Sequence, residues 1–102
     1  MYRVFDAHAH IFPNKIAKKA TENIGKFYDL SMDLDGTVDT LLRLGDTYRV
    51  ERFLVQSVAT VPEQVQSIND FISSQVTLYP QRLTGFASLH PDMVGMDEEI
   101  DR

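Results

Sequence analysis

Phe5-Asp6-Ala7-His8-Ala9-His10-Ile11-Phe12-Pro13 is the stretch that decides how this chain folds and where its chemistry lies. Side chains two apart on a strand point to the same side. A strand over 2–11 therefore projects His8 and His10 together, in line with Val4 and Asp6, and turns Phe5, Ala7, Ala9 and Ile11 to the other face. The small alanines on that face admit a closely packed helix, and Pro13, which cannot donate a ladder hydrogen bond, closes the strand. Two neutral imidazoles on the polar face make half of a site for a divalent ion. Imidazole suits zinc, iron, nickel and copper, and a catalytic zinc takes three protein ligands and one open position for water. The chain has one further histidine, His90, and no cysteine, so the missing ligands are carboxylates or lie outside it. The plainer alternative is a pair of ordinary strand histidines, one hydrogen-bonded and one solvated.

The rest of the composition sets bounds. At 102 residues the chain is one small domain at most. Hydrophobic residues make up 43% and charged residues 25%, ordinary for a globular domain. A net charge of −5 with scattered Lys and Arg argues against nucleic acid as a partner, because neutralising phosphates needs clustered cations. Without cysteine there is neither a disulfide framework nor a thiolate metal site. No signal-like apolar region or membrane-length run is visible, so a cytoplasmic location and no membrane partner are expected.

Outward from the histidine pair, strand and helix signals alternate. Ile16, Ala17, Ala20, Ile24, Phe27 and Tyr28 recur at helical spacing over 15–28, with lysines outward. A turn-rich connection offers Asp35 or Thr37 as cap of a helix over 38–48, whose expected inner face is Val38, Leu41, Leu42 and Tyr48. A compact apolar strand follows over 52–58. Thr60-Val61-Pro62-Glu63 then has capping-box spacing and opens a helix over 62–78 bearing Val65, Ile68, Ile72 and Val76. A third strand is expected over 83–89, and a last helix over 93–102. Strands alternating with helices imply about three βα units on a parallel sheet. Two architectures fit: a doubly wound sheet, or the first part of a (β/α)8 barrel, which runs to about 250 residues. Both place their sites at the carboxyl ends of strands, where His8, His10, Ser57, Thr60 and His90 fall.

The opening segment 5–13 resembles the first-strand signature of the amidohydrolase-related (amidohydrolase 2) branch of the metal-dependent amidohydrolase superfamily. Phe53-Leu54-Val55-Gln56-Ser57-Val58-Ala59-Thr60, the helix with Asn69-Asp70-Phe71-Ile72, and Gly85-Phe86-Ala87-Ser88-Leu89-His90-Pro91 look like later elements of that family. The resemblance spans almost all of the chain, with His-x-His its one chemically specific element. It implies the N-terminal part of a TIM barrel in which His8 and His10 bind a divalent metal, zinc foremost, and a small organic substrate is hydrolysed by metal-activated water. The family's later histidines and its late aspartate, the expected general base among them, have no counterpart here, so the isolated chain is expected to be inactive. Asp6 either orients a ligand histidine or makes a structural hydrogen bond. His90 is either a substrate-binding or supporting group at the barrel mouth, or a rim histidine ahead of a proline turn. Phe12, Phe27, Tyr28 and Met32 either wall a substrate pocket or pack in the core. The alternatives for the whole are a metal-dependent nonoxidative decarboxylase of the same family and a non-catalytic short α/β binding domain. The uncovered edges of a partial barrel also leave homo-oligomers open.

Overall fold

The computed structural model describes residues 2–102. The chain runs β1 (Val4–His10), α1 (Asn14–Tyr28), α2 (Val38–Tyr48), β2 (Val50–Gln56), a 3-10 turn (Pro62–Gln64), α3 (Val65–Leu78), β3 (Leu83–Gly85) and α4 (Met96–Asp101). The three strands form one parallel sheet in the order β1-β2-β3. That order is common to the start of a barrel and to one half of a doubly wound sheet.

The core lies on one side of this sheet. Ala9, Ile11, Phe53, Val55 and Leu83 are buried there with Val38 and Ile72, α2 covering β2 and α3 covering β3. Close approach depends on two glycines. A Cβ at Gly45 of α2 would stand 2.7 Å from the Phe53 ring, and one at Gly85 would stand 2.6 Å from Ile72 Cγ2 and 2.9 Å from Val76 Cγ2. On the other side, Arg52, Leu54, Gln56 and Thr84 are only half-buried and Phe86 is exposed.

Several expected boundaries and faces shift, each for a local reason. Between Asp6 and Ala9 the ladder advances three residues on β1 but two on β2. This bulge puts Asp6, opposite Phe53, out of phase with His10, opposite Gln56, so the common face expected for the two does not run unbroken. The second strand starts at Val50 because Arg49, in the left-handed region at φ 59°, stops α2 directly before it. The third strand is three residues long rather than seven. After Gly85 the Phe86 N–H still donates to the Val55 carbonyl (3.0 Å), but Ser88 is held by side chains instead: its hydroxyl donates to the Ser57 carbonyl and its N–H to Asn69 Oδ1. The last helix starts at Met96, not 93, since Met93 N–H closes a turn on the His90 carbonyl and Gly95 is left-handed.

Capping differs in one place. Thr37 caps α2 as expected, its hydroxyl accepting from the Thr40 N–H (3.3 Å). Thr60, however, gives both its N–H and its hydroxyl to Gln64, not Glu63. The inner stripe of α1 is Ala17, Thr21 and Gly25, while Phe27 and Tyr28 are exposed and meet edge to face at 5.0 Å. The physical reason is the partner: α1 packs on its own following loop, where small residues admit the Leu30 carbonyl against Gly25 and Phe12 against Gly36. Tyr48 is 72% exposed because Gly45, not Tyr48, is what α2 presses on Phe53.

Asn69 of α3 ties down the end of the chain. Its amide donates to the Ser88 carbonyl (2.9 Å) and to Glu99 Oε1 (2.9 Å). The Glu99 side chain, 4% exposed, also accepts two bonds from Arg102 (2.8 and 3.0 Å). The Arg102 bonds first, then the Asn69 bond, hold the Glu99 carboxyl below the ordinary glutamate range.

Two outcomes are expected. Gly85→Ala forces its methyl onto two β-branched side chains of α3 and should lower unfolding stability by about 1–3 kcal/mol in urea denaturation; an unchanged midpoint would contradict the close packing. Because the Glu99 pKa is lowered on folding, its contribution is present above the unfolded value of about 4.3 and is lost as pH falls through the folded value. The stability gap between the wild-type chain and Glu99→Gln should therefore shrink on acidification, and a gap independent of pH would refute the clasp.

Candidate metal centre

His8 and His10 sit at the carboxyl end of β1, where the bulge and the ladder together aim them. Their Nε2 atoms are 2.9 Å apart, with ring centroids at 4.9 Å and planes at 67°. The second nitrogen of His10, Nδ1, lies 3.0 Å from the Gln56 carbonyl, its neighbour across the ladder. A carbonyl only accepts, so His10 Nδ1 carries the proton. In the neutral ring, His10 Nε2 is then a bare lone pair, and His8 must donate to it from Nε2–H. His10 is thereby held in the tautomer a metal needs, with a backbone carbonyl behind it as metal-ligating imidazoles commonly have. His8 needs only to move its proton to Nδ1.

The spacing fits such an ion. Two nitrogens each about 2.0–2.1 Å from a tetrahedral zinc stand about 3.3 Å apart, so the rings would part by a few tenths of an ångström. What the pair lacks is company. Among the described residues no group of three or more His, Asp or Glu is placed to hold a metal.

The other expected site residues are engaged locally. Asp6 Oδ1 accepts the His8 backbone N–H (3.0 Å), so its carboxylate braces the bulge, and the ring nitrogen of His10 bonds the Gln56 carbonyl instead. His90 Nδ1 accepts from the Asp92 N–H (3.1 Å), and its carbonyl accepts from Met93. It is a turn histidine, and it does not join the pair. The Ser57 carbonyl receives the Ser88 hydroxyl, and Thr60 binds Gln64.

Beside His10 a pocket of ≈ 220 Å³ opens between α1, α2 and the loop joining them. Phe12, Ile24, Met32, Leu34, Leu41 and Leu44 are its apolar walls. Its polar atoms are already paired: Asp35 accepts the hydroxyls of Thr37 (2.9 Å) and Thr40 (3.0 Å), and the Thr37 N–H as well (2.9 Å). Those bonds hold the Asp35 carboxyl below its ordinary range. A larger groove of ≈ 750 Å³ between α1 and the loop includes Lys18, Glu22, Lys26 and Asp29 but no histidine.

No protein-family model matches the chain, and no curated protein matches it. Among solved structures it is similar to a probable 2-pyrone-4,6-dicarboxylic acid hydrolase from Acinetobacter baumannii, solved with citric acid bound. The TM-score is 0.57 at 18% sequence identity. The similarity covers 98% of this chain and 33% of that one, so the chain spans about a third of the length of the structure it matches. Likeness at this identity speaks for the fold: an α/β domain with parallel strands resembling part of a TIM-barrel-like fold. Among the described residues no helix is long and apolar enough to cross a membrane.

Two features of the site, the Gln56 carbonyl and Leu44, have no side-chain motif in the sequence. Gln56 acts through its carbonyl, which no side-chain pattern betrays; pairing the ends of the two strands in register would have found it. Leu44 lines the pocket from α2 one turn after Leu41, and that spacing was the available signal.

Long-range 1H–15N spectra of the metal-free chain should show His10 protonated at Nδ1 and His8 at Nε2 at neutral pH. The reverse assignment would break the link from Gln56 to His10.

Proposed function

We propose that this chain supplies the first three βα units of a metal-dependent hydrolase of amidohydrolase type, acting on a small organic substrate. The observation that carries the reading is the convergence of His8 Nε2 and His10 Nε2 at a strand's carboxyl end, with His10 locked in its ligand tautomer by the Gln56 carbonyl. The resemblance of the 5–13 segment to the amidohydrolase signature supports it, as does the fold likeness to part of a probable hydrolase.

In this reading His8 and His10 hold a divalent ion, zinc by the chemistry of an all-imidazole pair. Such an ion, when bound, lowers the pKa of a coordinated water toward about 7 and polarises a substrate carbonyl. The chain's own residues do the rest of what falls to them. His10 is oriented by Gln56, the bulge braced by Asp6 aims His8 at His10, and the remaining ligands and the proton acceptor come from residues beyond these 102. Turnover is accordingly the property of a longer assembly.

A ligand that binds only the folded state raises its stability by RT ln(1 + [L]/Kd). Zn2+ should therefore raise the thermal midpoint of the purified chain, reversibly on chelation, and should not do so for His8→Ala or His10→Ala. An equal rise in the doubly substituted chain would sink the assignment of the pair.

A further inference from the structure

The pocket beside His10 is poor in free hydrogen-bonding partners, and this limits what it can hold. Thr37 and Thr40 spend their hydroxyls on Asp35. His10 uses Nδ1 on Gln56 and Nε2 on the other histidine. No buried side-chain nitrogen or oxygen among the described residues is left without a partner. A charged or hydrogen-bond-accepting group entering here would give up hydration and meet no unused hydroxyl or imidazole donor among these side chains, a cost of roughly 1–3 kcal/mol for a neutral group and far more for an ion. Hydrocarbon entering here meets Phe12, Ile24, Met32, Leu34, Leu41 and Leu44.

We propose that this pocket is a hydrocarbon subsite, receiving an uncharged apolar substituent of the molecule whose reacting group lies at His8 and His10. The inference rests on the reading of the histidine pair as a reaction centre and adds to it the chemical class of one substrate part. Size follows from comparison: an apolar cavity of roughly 150 Å³ takes a benzene ring, so ≈ 220 Å³ accommodates a group of about six to eight carbons. His10 is the shared wall. A substrate anchored by its hydrocarbon end would thus present its other end to the pair.

Placement in the chain sharpens the point. Apart from His10 at the end of β1 and Phe12 just after it, the walls come from α1, from the loop after it and from α2, none of which belongs to the sheet. Selectivity is thereby set by a segment separate from the strands that carry the histidines.

The test uses the 102-residue chain, labelled at its Ile, Leu and Met methyl groups, and three probes: toluene, benzoate and Zn2+. Toluene should shift the methyl signals of Ile24, Met32, Leu34, Leu41 and Leu44 saturably, and benzoate, of like size but charged, should bind at least about tenfold more weakly. Leu44→Trp should abolish the toluene response while Zn2+ still shifts the His8 and His10 ring signals; Ile24→Phe, filling the pocket from α1, serves if the first variant does not fold. Toluene shifts confined to methyl groups outside the pocket, such as those of the exposed Leu30, Leu78 and Ile100, or benzoate binding equal to toluene, would overturn the inference. Zn2+ binding without any toluene response would overturn it while leaving the metal reading intact. Toluene binding without a Zn2+ response would remove its standing as a subsite of that centre.

Discussion

The parallel ladder between β1 and β2 is the constraint on which the rest of this molecule depends. Parallel pairing brings the carboxyl ends of both strands to one rim, and its register sets His10 beside Gln56. From that single pairing follow the hydrogen bond to His10 Nδ1, the tautomer of the ring and the direction of its other nitrogen toward His8. A slip of one residue would turn each side chain on the strand to the opposite face. The extra residue on β1 between Asp6 and Ala9 belongs to the same constraint: it re-aims the strand end, as bulges beside functional sites do.

The sheet holds this register because two helices lie hard against it. Gly45 and Gly85 remove the side chains that would hold α2 and α3 away, letting Phe53 and Ile72 fill the gap. Arg82 adds a polar strap, bonding Asp46 at the end of α2 and the carbonyls of Val50 and Glu51 at the start of β2. Packing on one face, a strap at the amino end and the histidines at the carboxyl end divide the labour along β1 and β2. Support and chemistry occupy opposite ends of the strands.

Much of this was legible in the sequence, and the failures share a cause. Apolar runs and helical spacing mark the elements where a segment packs on the sheet, as with Phe53, Val55, Val65 and Ile72. They mislead where it packs elsewhere. The period in α1 pointed to Ile16, Ala17, Ala20, Ile24, Phe27 and Tyr28, yet of these the helix buries only Ala17, together with Thr21 and Gly25, because its partner is a loop rather than a strand. The third strand read too long because its apolar residues continue past the point where side-chain bonds from Asn69 and Ser88 replace the ladder. At the site, the histidine spacing announced the pair. The carbonyl of Gln56 and the bulge that dephases Asp6 are properties of pairing, and no residue identity encodes them.

Because α1 packs on its own loop through Ala17, Thr21 and Gly25 and gives no residue to the sheet's buried core, to which α2 and α3 give Val38 and Ile72, it stands as a unit of its own beside that core. Units of that kind open at lower free energy than the whole protein unfolds. On that ground the amides of α1 are expected to exchange with solvent before those of β2, opening the space between α1 and α2 while the strands and their histidines stay in place. Such opening would admit a small molecule between α1 and α2 without any loosening of the sheet.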